Sequence, residues 1–200
     1  MPFAFCTDRV KVLCMMRRTR TILNIAVAAA LTLTAPAVAA QEGARLPELL
    51  SQLAQPDNQG WRRLERQILT EWSKSGSPAM DLLLQRGREA MRADDMPAAI
   101  QHLTALTDHA PDFAEGWNTR ATAYFRAGLY GPSLDDIART LALNPQHFGA
   151  LAGLGAILSE TGRKAAALKA YKAALAIHPH LDRVIGAVKR LETELAGQAI

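Results

Sequence analysis

The sequence predicts an all-α repeat solenoid, and three observations predict it. Pro111, Pro145 and Pro179 stand at intervals of 34 residues, and the residues between them align without a gap. A fixed period of this size marks stacked helical units, each too small to bury its apolar face alone. Outside that stretch, Trp61, Leu64, Ile68, Leu69 and Trp72 recur at helical spacing. The third observation is one of composition. The 200 residues carry 23 Lys+Arg against 19 Asp+Glu, but Arg9, Lys11, Arg17, Arg18 and Arg20 against Asp8 fall in the first 40, leaving 18 against 18. Both cysteines, Cys6 and Cys14, lie in the same stretch. The body is therefore neutral and cysteine-free, which excludes a disulfide scaffold, a thiol nucleophile and a cysteine metal site.

The elements follow in order. Arg17, Arg18 and Arg20 precede an apolar run from Ile22 to Leu33 that closes on Ala35-Pro36-Ala37-Val38-Ala39-Ala40, the charged, apolar, small-residue order of a secretory signal. Residues 1–40 are expected to be a signal peptide cleaved after Ala39 or Ala40, with 1–14 a mis-assigned start upstream of Met15 and Met16. The exported body is then periplasmic. The other reading is an uncleaved anchor, since 22–40 holds no charge and is just long enough to cross a bilayer.

Residues 41–79 are expected to form a degenerate leading repeat. Gly60 lies two periods before Gly128, and Leu46 to Leu53 would be the partner helix, cut short by Pro56. An unrelated helical hairpin capping the stack is the alternative. Three units follow, 80–113, 114–147 and 148–181. Ser77 and Pro78 give the first helix an N-cap and a first-turn proline. Gly128 and Gly162 mark turns within units, and the three prolines stop each second helix. Gly87, Ala121 and Gly155 are expected to face Ala99, Ser133 and Ala167 so that paired helices approach closely, with Trp117, Tyr124 and Tyr171 filling the space around them. Residues 182–200 hold a capping helix, with Val184, Ile185, Val188 and Leu191 inward and Arg183, Lys189, Arg190 and Glu192 outward.

Patterns that carry chemistry are missing from the sequence: it has no G-x4-G-K-[ST], no H-E-x-x-H and no G-x-S-x-G. Gly153-Leu154-Gly155 falls mid-helix and reads as close packing. His147, His178 and His180 flank inter-repeat turns and read as solvated, so no metal is expected. Asp94-Asp95 and Asp135-Asp136 read as carboxylates near helix N-termini. Glu65 and Glu71 dilute Arg62, Arg63 and Arg66, which argues against a nucleic-acid patch. The chain is not expected to be an enzyme or to hold a cofactor.

In this register the chain resembles the tetratricopeptide repeat (TPR) proteins, whose unit carries W-x2-L-G-x2-Y on its first helix, then A-x3-F-x2-A and Pro on and after its second. The aromatic position reads Leu83, Trp117 and Leu151, the glycine position Gly87, Ala121 and Gly155, and the tyrosine position Ala90, Tyr124 and Leu158. On the second helix the positions read Ala99, Ser133 and Ala167, then Leu103, Ile137 and Tyr171. The last, Leu106, Thr140 and Ala174, departs in two of three units.

The resemblance covers about half of the chain and implies a right-handed α–α superhelix (a TPR solenoid) with a concave groove lined by its first helices. Carried over by position, the lining is Asp81, Leu84, Arg88 and Met91, then Glu115, Asn118, Thr122 and Phe125, then Gly149, Ala152, Ala156 and Ser159. Arg88, Asn118 and Thr122 suit a backbone or carboxylate, and Met91 and Phe125 an apolar anchor. The chaperone-binding carboxylate clamp of some TPR domains is absent, because Leu84, Arg88, Thr119, Gly149 and Gly153 stand where its Lys, Asn and Arg residues belong. The expected function is a periplasmic adaptor or assembly factor that binds a peptide or helix of another envelope protein. Two alternatives stay open: an envelope enzyme or a non-catalytic part of one, whose mark would be Glu115, Arg88 and a histidine converging on one pocket, and a scaffold held at the inner membrane by its uncleaved signal, the one route by which a membrane would be involved.

Overall fold

The computed structural model describes residues 45–197. The expected signal, cleavage site and start lie outside them. Among the described residues every regular element is a helix. α1 spans 45–53, followed by α2 Trp61–Trp72, α3 Pro78–Arg92, α4 Met96–His109, α5 Ala114–Arg126, α6 Tyr130–Leu143, α7 Phe148–Glu160, α8 Lys164–Ile177 and α9 Asp182–Gly197. α4, α6 and α8 are each 14 residues long and begin one period apart; α5 and α7 are each 13 residues long and do the same.

The helices pair as α3 with α4, α5 with α6 and α7 with α8, and each second helix also packs on the element that follows it. α3 touches α5 and α5 touches α7, so the first helices form one continuous inner row. The turn between paired helices repeats a left-handed residue at one register: Gly128 with φ +75°, Gly162 with φ +76° and, in the first unit, Asp94 with φ +61°. Glycine meets no Cβ penalty there, and aspartate is among the few other residues that visit the region.

Close approach inside a pair has a different partner from the expected one. A Cβ on Gly87 would stand 2.6 Å from Leu103, and one on Gly155 would stand 2.5 Å from the Tyr171 ring. The glycines therefore face the large residue one turn beyond Ala99 and Ala167. In the middle unit Ala121 and Ile137 share one apolar cluster, and the Ser133 hydroxyl donates to the Ala121 carbonyl. Trp117 is half-buried: its Nε1 donates to the Pro111 carbonyl, and the Arg120 and Arg139 guanidinia lie over its ring at 4.8 and 5.9 Å.

The core is distributed along the stack rather than concentrated. Leu84, Met91, Leu103 and Leu106 fill the first unit, and Leu158 and Tyr171 meet Val184, Val188 and Leu191 of α9 at the far end. In α9, Ala187 is buried where Ile185 was expected. Ser77 stands at the N-cap of α3 without a capping bond from its side chain. Asp81 instead accepts from the Ser75 amide and hydroxyl, which fixes the link between α2 and α3.

α1 and α2 form a hairpin that does not take the place of a leading repeat. Leu49, Leu50, Leu53, Leu64, Ile68 and Trp72 make one apolar cluster with Phe148, joined at its margin by Trp61, Ile177 and Leu181. The hairpin thus reaches past the first two units and seats α2 along the turns before α7 and α9. A periodic apolar stripe establishes that a helix needs a partner surface, but the partner here is the edge of the third unit.

Candidate functional site

The inner row begins at a buried charged cluster. Glu115 on α5 is 6% exposed, and its Oε1 accepts from Arg88 Nη2 on α3 and, at 3.3 Å, from Thr119. Its Oε2 accepts from His147 at 2.9 Å and from Asn118 Nδ2 at 3.2 Å. His147 Nδ1 accepts the Ala150 amide and so caps α7, which leaves its Nε2 to carry the hydrogen given to Glu115. Burial pushes the Glu115 carboxyl up, but the hydrogen bond from His147 and the charge of Arg88 outweigh it and hold the group below its ordinary value. Arg88 Nη1 also donates to Ser73 at the end of α2, and the Trp72 ring stacks on His147 at 4.4 Å. The cluster therefore ties the first two units, the turn before the third and the hairpin to one point.

Beyond it the row opens. Asn118, Thr122 and Phe125 of α5 and Gly149, Gly153 and Ala156 of α7 line a pocket of about 120 Å³ whose floor includes Ala121, Ser133, Ile137 and Ile157. A larger cleft of about 580 Å³ adjoins it, between Trp61 and Glu65 of α2, the small residues Ala152, Gly153 and Ala156, Tyr171, and His180 to Val184. The two share Gly153 and Ala156, so they adjoin along one face of α7. Burial raises the Tyr171 phenol at the cleft wall above its ordinary value, against the pull of Arg190.

The expected lining divides accordingly. Asn118, Thr122, Phe125, Gly149 and Ala156 come together in the pocket, and Ala152 lies in the cleft. Ser159 lies in a smaller depression with Arg190 and Glu194. Leu84 and Met91 do not line a groove: they are buried in the first-unit core. Glu115 and Arg88 are committed to each other, and Asp81 to Ser75. The open groove thus belongs to the second and third units, because the first is closed by its own core and by the link to the hairpin.

Two further expectations are corrected. His147 and His178 are not solvated: they are 1% and 0% exposed, packed against α2. Asp136 is not a helix-terminal carboxylate but a buried one, holding Arg120 through two oxygens at 2.7 and 2.8 Å, while Arg120 also donates to Thr107 on α4. Arg88, Glu115 and a histidine do converge, as the enzyme alternative asks: positions 9 and 2 of neighbouring first helices adjoin in such a stack, and His147 joins them. The three are paired with one another and line neither the pocket nor the cleft. The Arg120–Asp136 pair carries no signal in the sequence.

Three helix pairs at a 34-residue period, first helices aligned along one face and a terminal cap define a TPR solenoid. The chain belongs to the tetratricopeptide repeat family: it is 39% identical over 156 residues to a TPR repeat-containing protein of Rhizobium etli, covering 76% of each chain. No family profile matches the sequence. Among solved structures it is similar to the first TPR domain of Spaghetti bound to an HSP90 peptide, with TM-score 0.58 and 23% identity over 60% of this chain and 98% of that one. It is also similar to the Sgt2 TPR domain of Aspergillus fumigatus (TM-score 0.58, 20% identity, 62% and 83% covered) and to MamA (0.56, 19%, 69% and 85%). At these identities the structural likenesses establish the fold.

Proposed function

We propose that this chain is an exported protein–protein interaction module, an adaptor or assembly factor that binds a peptide or helix of an envelope partner in the groove of its second and third units. The observation that carries the reading is the convergence of Asn118, Thr122 and Phe125 on the facing Gly149, Gly153 and Ala156. Glycine and alanine at one wall let a partner backbone approach closely, the opposite wall supplies hydrogen-bonding groups, and Phe125 supplies an apolar anchor. The structural likeness to TPR domains bound to HSP90 and HSP70 peptides supports peptide binding as a use of this fold. The charged, apolar, small-residue order of residues 17–40 supports export.

The test is site-specific photo-crosslinking in native cells. A photoreactive residue at the exposed Thr122 is expected to yield adducts that the outer position Lys169 does not, and Gly153→Gln, which fills the pocket, is expected to abolish them. Identical adducts with and without Gly153→Gln would remove the groove from the function.

A further inference from the structure

Every buried side-chain nitrogen or oxygen left without a hydrogen bond among the described residues lies on one seam. They are Trp72 Nε1 on α2 and His178 Nε2 and His180 Nε2 on the surface that receives it. Native interiors satisfy nearly all such groups, so a concentration of unmet ones marks an interface that is not fully optimised as permanent core. As at the other helix–helix contacts of the stack, no backbone hydrogen bond crosses this seam among the described residues. Its polar ties are Arg88 to Ser73 and the Glu65–His178 contact at 3.3 Å, which lacks hydrogen-bond geometry. The remainder is apolar packing: Trp72 on His147 and Phe148, Trp61 on His180 at 5.0 Å and nearly parallel, and the leucines of α1 with Leu64 and Ile68 in one cluster with Phe148, Ile177 and Leu181. The three units pair and stack among themselves without α2. A short link, 73–77, joins α2 to them and includes Gly76 in the left-handed region with open space around it.

We infer that the seat of α2 is an exchangeable helix-docking surface, and that the partner it fits is an amphipathic helix carrying the α2 stripe. That stripe is an aromatic at each end, as Trp61 and Trp72, aliphatic residues between them, as Leu64 and Ile68, and a carboxylate placed like Glu65 toward His178. This rests on the reading of the groove as an interaction surface and names its regulation: α2 is the resident occupant, and a partner helix of the same pattern replaces it. The cleft of about 580 Å³ lies directly against Trp61 and Glu65, so a partner entering there meets the margin of the seam first. Covalent attachment gives α2 a high effective concentration, so an incoming helix must out-compete it or meet a hairpin already loosened.

The test uses the full chain and a labelled synthetic peptide of residues 58–75. The peptide is expected to bind the Trp61→Ala/Trp72→Ala chain at least tenfold more tightly than the wild type, where the attached helix competes. A peptide with both tryptophans replaced by alanine is expected not to bind. In the wild-type chain, with no substitution to perturb folding, amides of α2 are expected to exchange with deuterium at least tenfold faster than those of α6 and α8. Exchange in α2 as slow as in α8 overturns the proposal, and so does equal binding of the native and alanine peptides. Either failure leaves α2 as a fixed wall, and loss of Thr122 adducts on Gly153→Gln would then still stand as evidence for the groove.

Discussion

Glu115 is a carboxylate that folding removes from water and then surrounds with donors from three places in the chain: Arg88, His147 and its own helix. Its folded value lies below the ordinary 4.5, so the native state binds this proton less tightly than the unfolded chain does. The resulting stability is complete above about pH 4.5 and is lost as pH falls through the lowered folded value. Glu115→Gln leaves Arg88 without its counter-charge and is expected to cost about 3 kcal/mol at pH 7 in urea unfolding. The same variant should remove the part of the acid dependence below pH 4.5 that Glu115 supplies. Gly155→Ala tests close packing at the same scale. Its Cβ would enter the Tyr171 ring, and a loss of about 1–3 kcal/mol is expected, measured by the same titration. Gly155 was recognisable from the 34-residue register. The sequence offers Glu115 and Arg88 as groove lining and as members of a possible convergent cluster, but which histidine joins them is not legible, because the partners lie 27 and 32 residues away and only stacking brings them together.

At the scale of elements, α2 and α7 carry the function-bearing contrasts. On α7, Gly153→Gln replaces a poor helix former at a position where a Cβ meets only ordinary contact with Ile137 at 3.6 Å. The variant is expected to be as stable as the wild type or up to about 1 kcal/mol more so, while losing groove adducts. Thermal melts and crosslinking together check that separation. The α2 seat holds a second proton-linked group. Burial pushes His178 below its ordinary 6.5, against the upward pull of Glu65 and with a further push from His180. The unfolded chain therefore takes up this proton first on acidification, so stability is full above about pH 6.5 and declines below it toward the folded value. Asparagine can still accept the His180 amide that His178 Nδ1 accepts at 3.3 Å. His178→Asn is thus expected to flatten the stability profile below pH 6.5. The helix α2 was legible from Trp61, Leu64, Ile68 and Trp72, yet its seat was not. A stripe specifies that a partner exists, and several apolar surfaces in a repeat stack satisfy it equally in sequence terms.

At the largest scale, the three units form a one-dimensional stack whose ends must be closed. α9 closes one end by burying Val184, Ala187, Val188 and Leu191 against the third unit. An uncompensated charge in that seam propagates inward, since each unit is stabilised by its neighbours. Val188→Asp is expected to cost about 3 kcal/mol and to lower the melting temperature by about 10 °C, read by circular dichroism. The sequence by itself determined the helix count of the three units and the row of first helices, because a gapless 34-residue period repeats the same local instructions and stacking buries the faces they create. Only the tertiary structure decided which part of that row is open. The first unit is sealed by Leu84, Met91 and the Arg88–Glu115 pair, the second and third keep a groove, and α2 lies along its edge. Those outcomes depend on contacts between residues far apart in the chain and on competition among apolar surfaces, neither of which a local periodicity encodes.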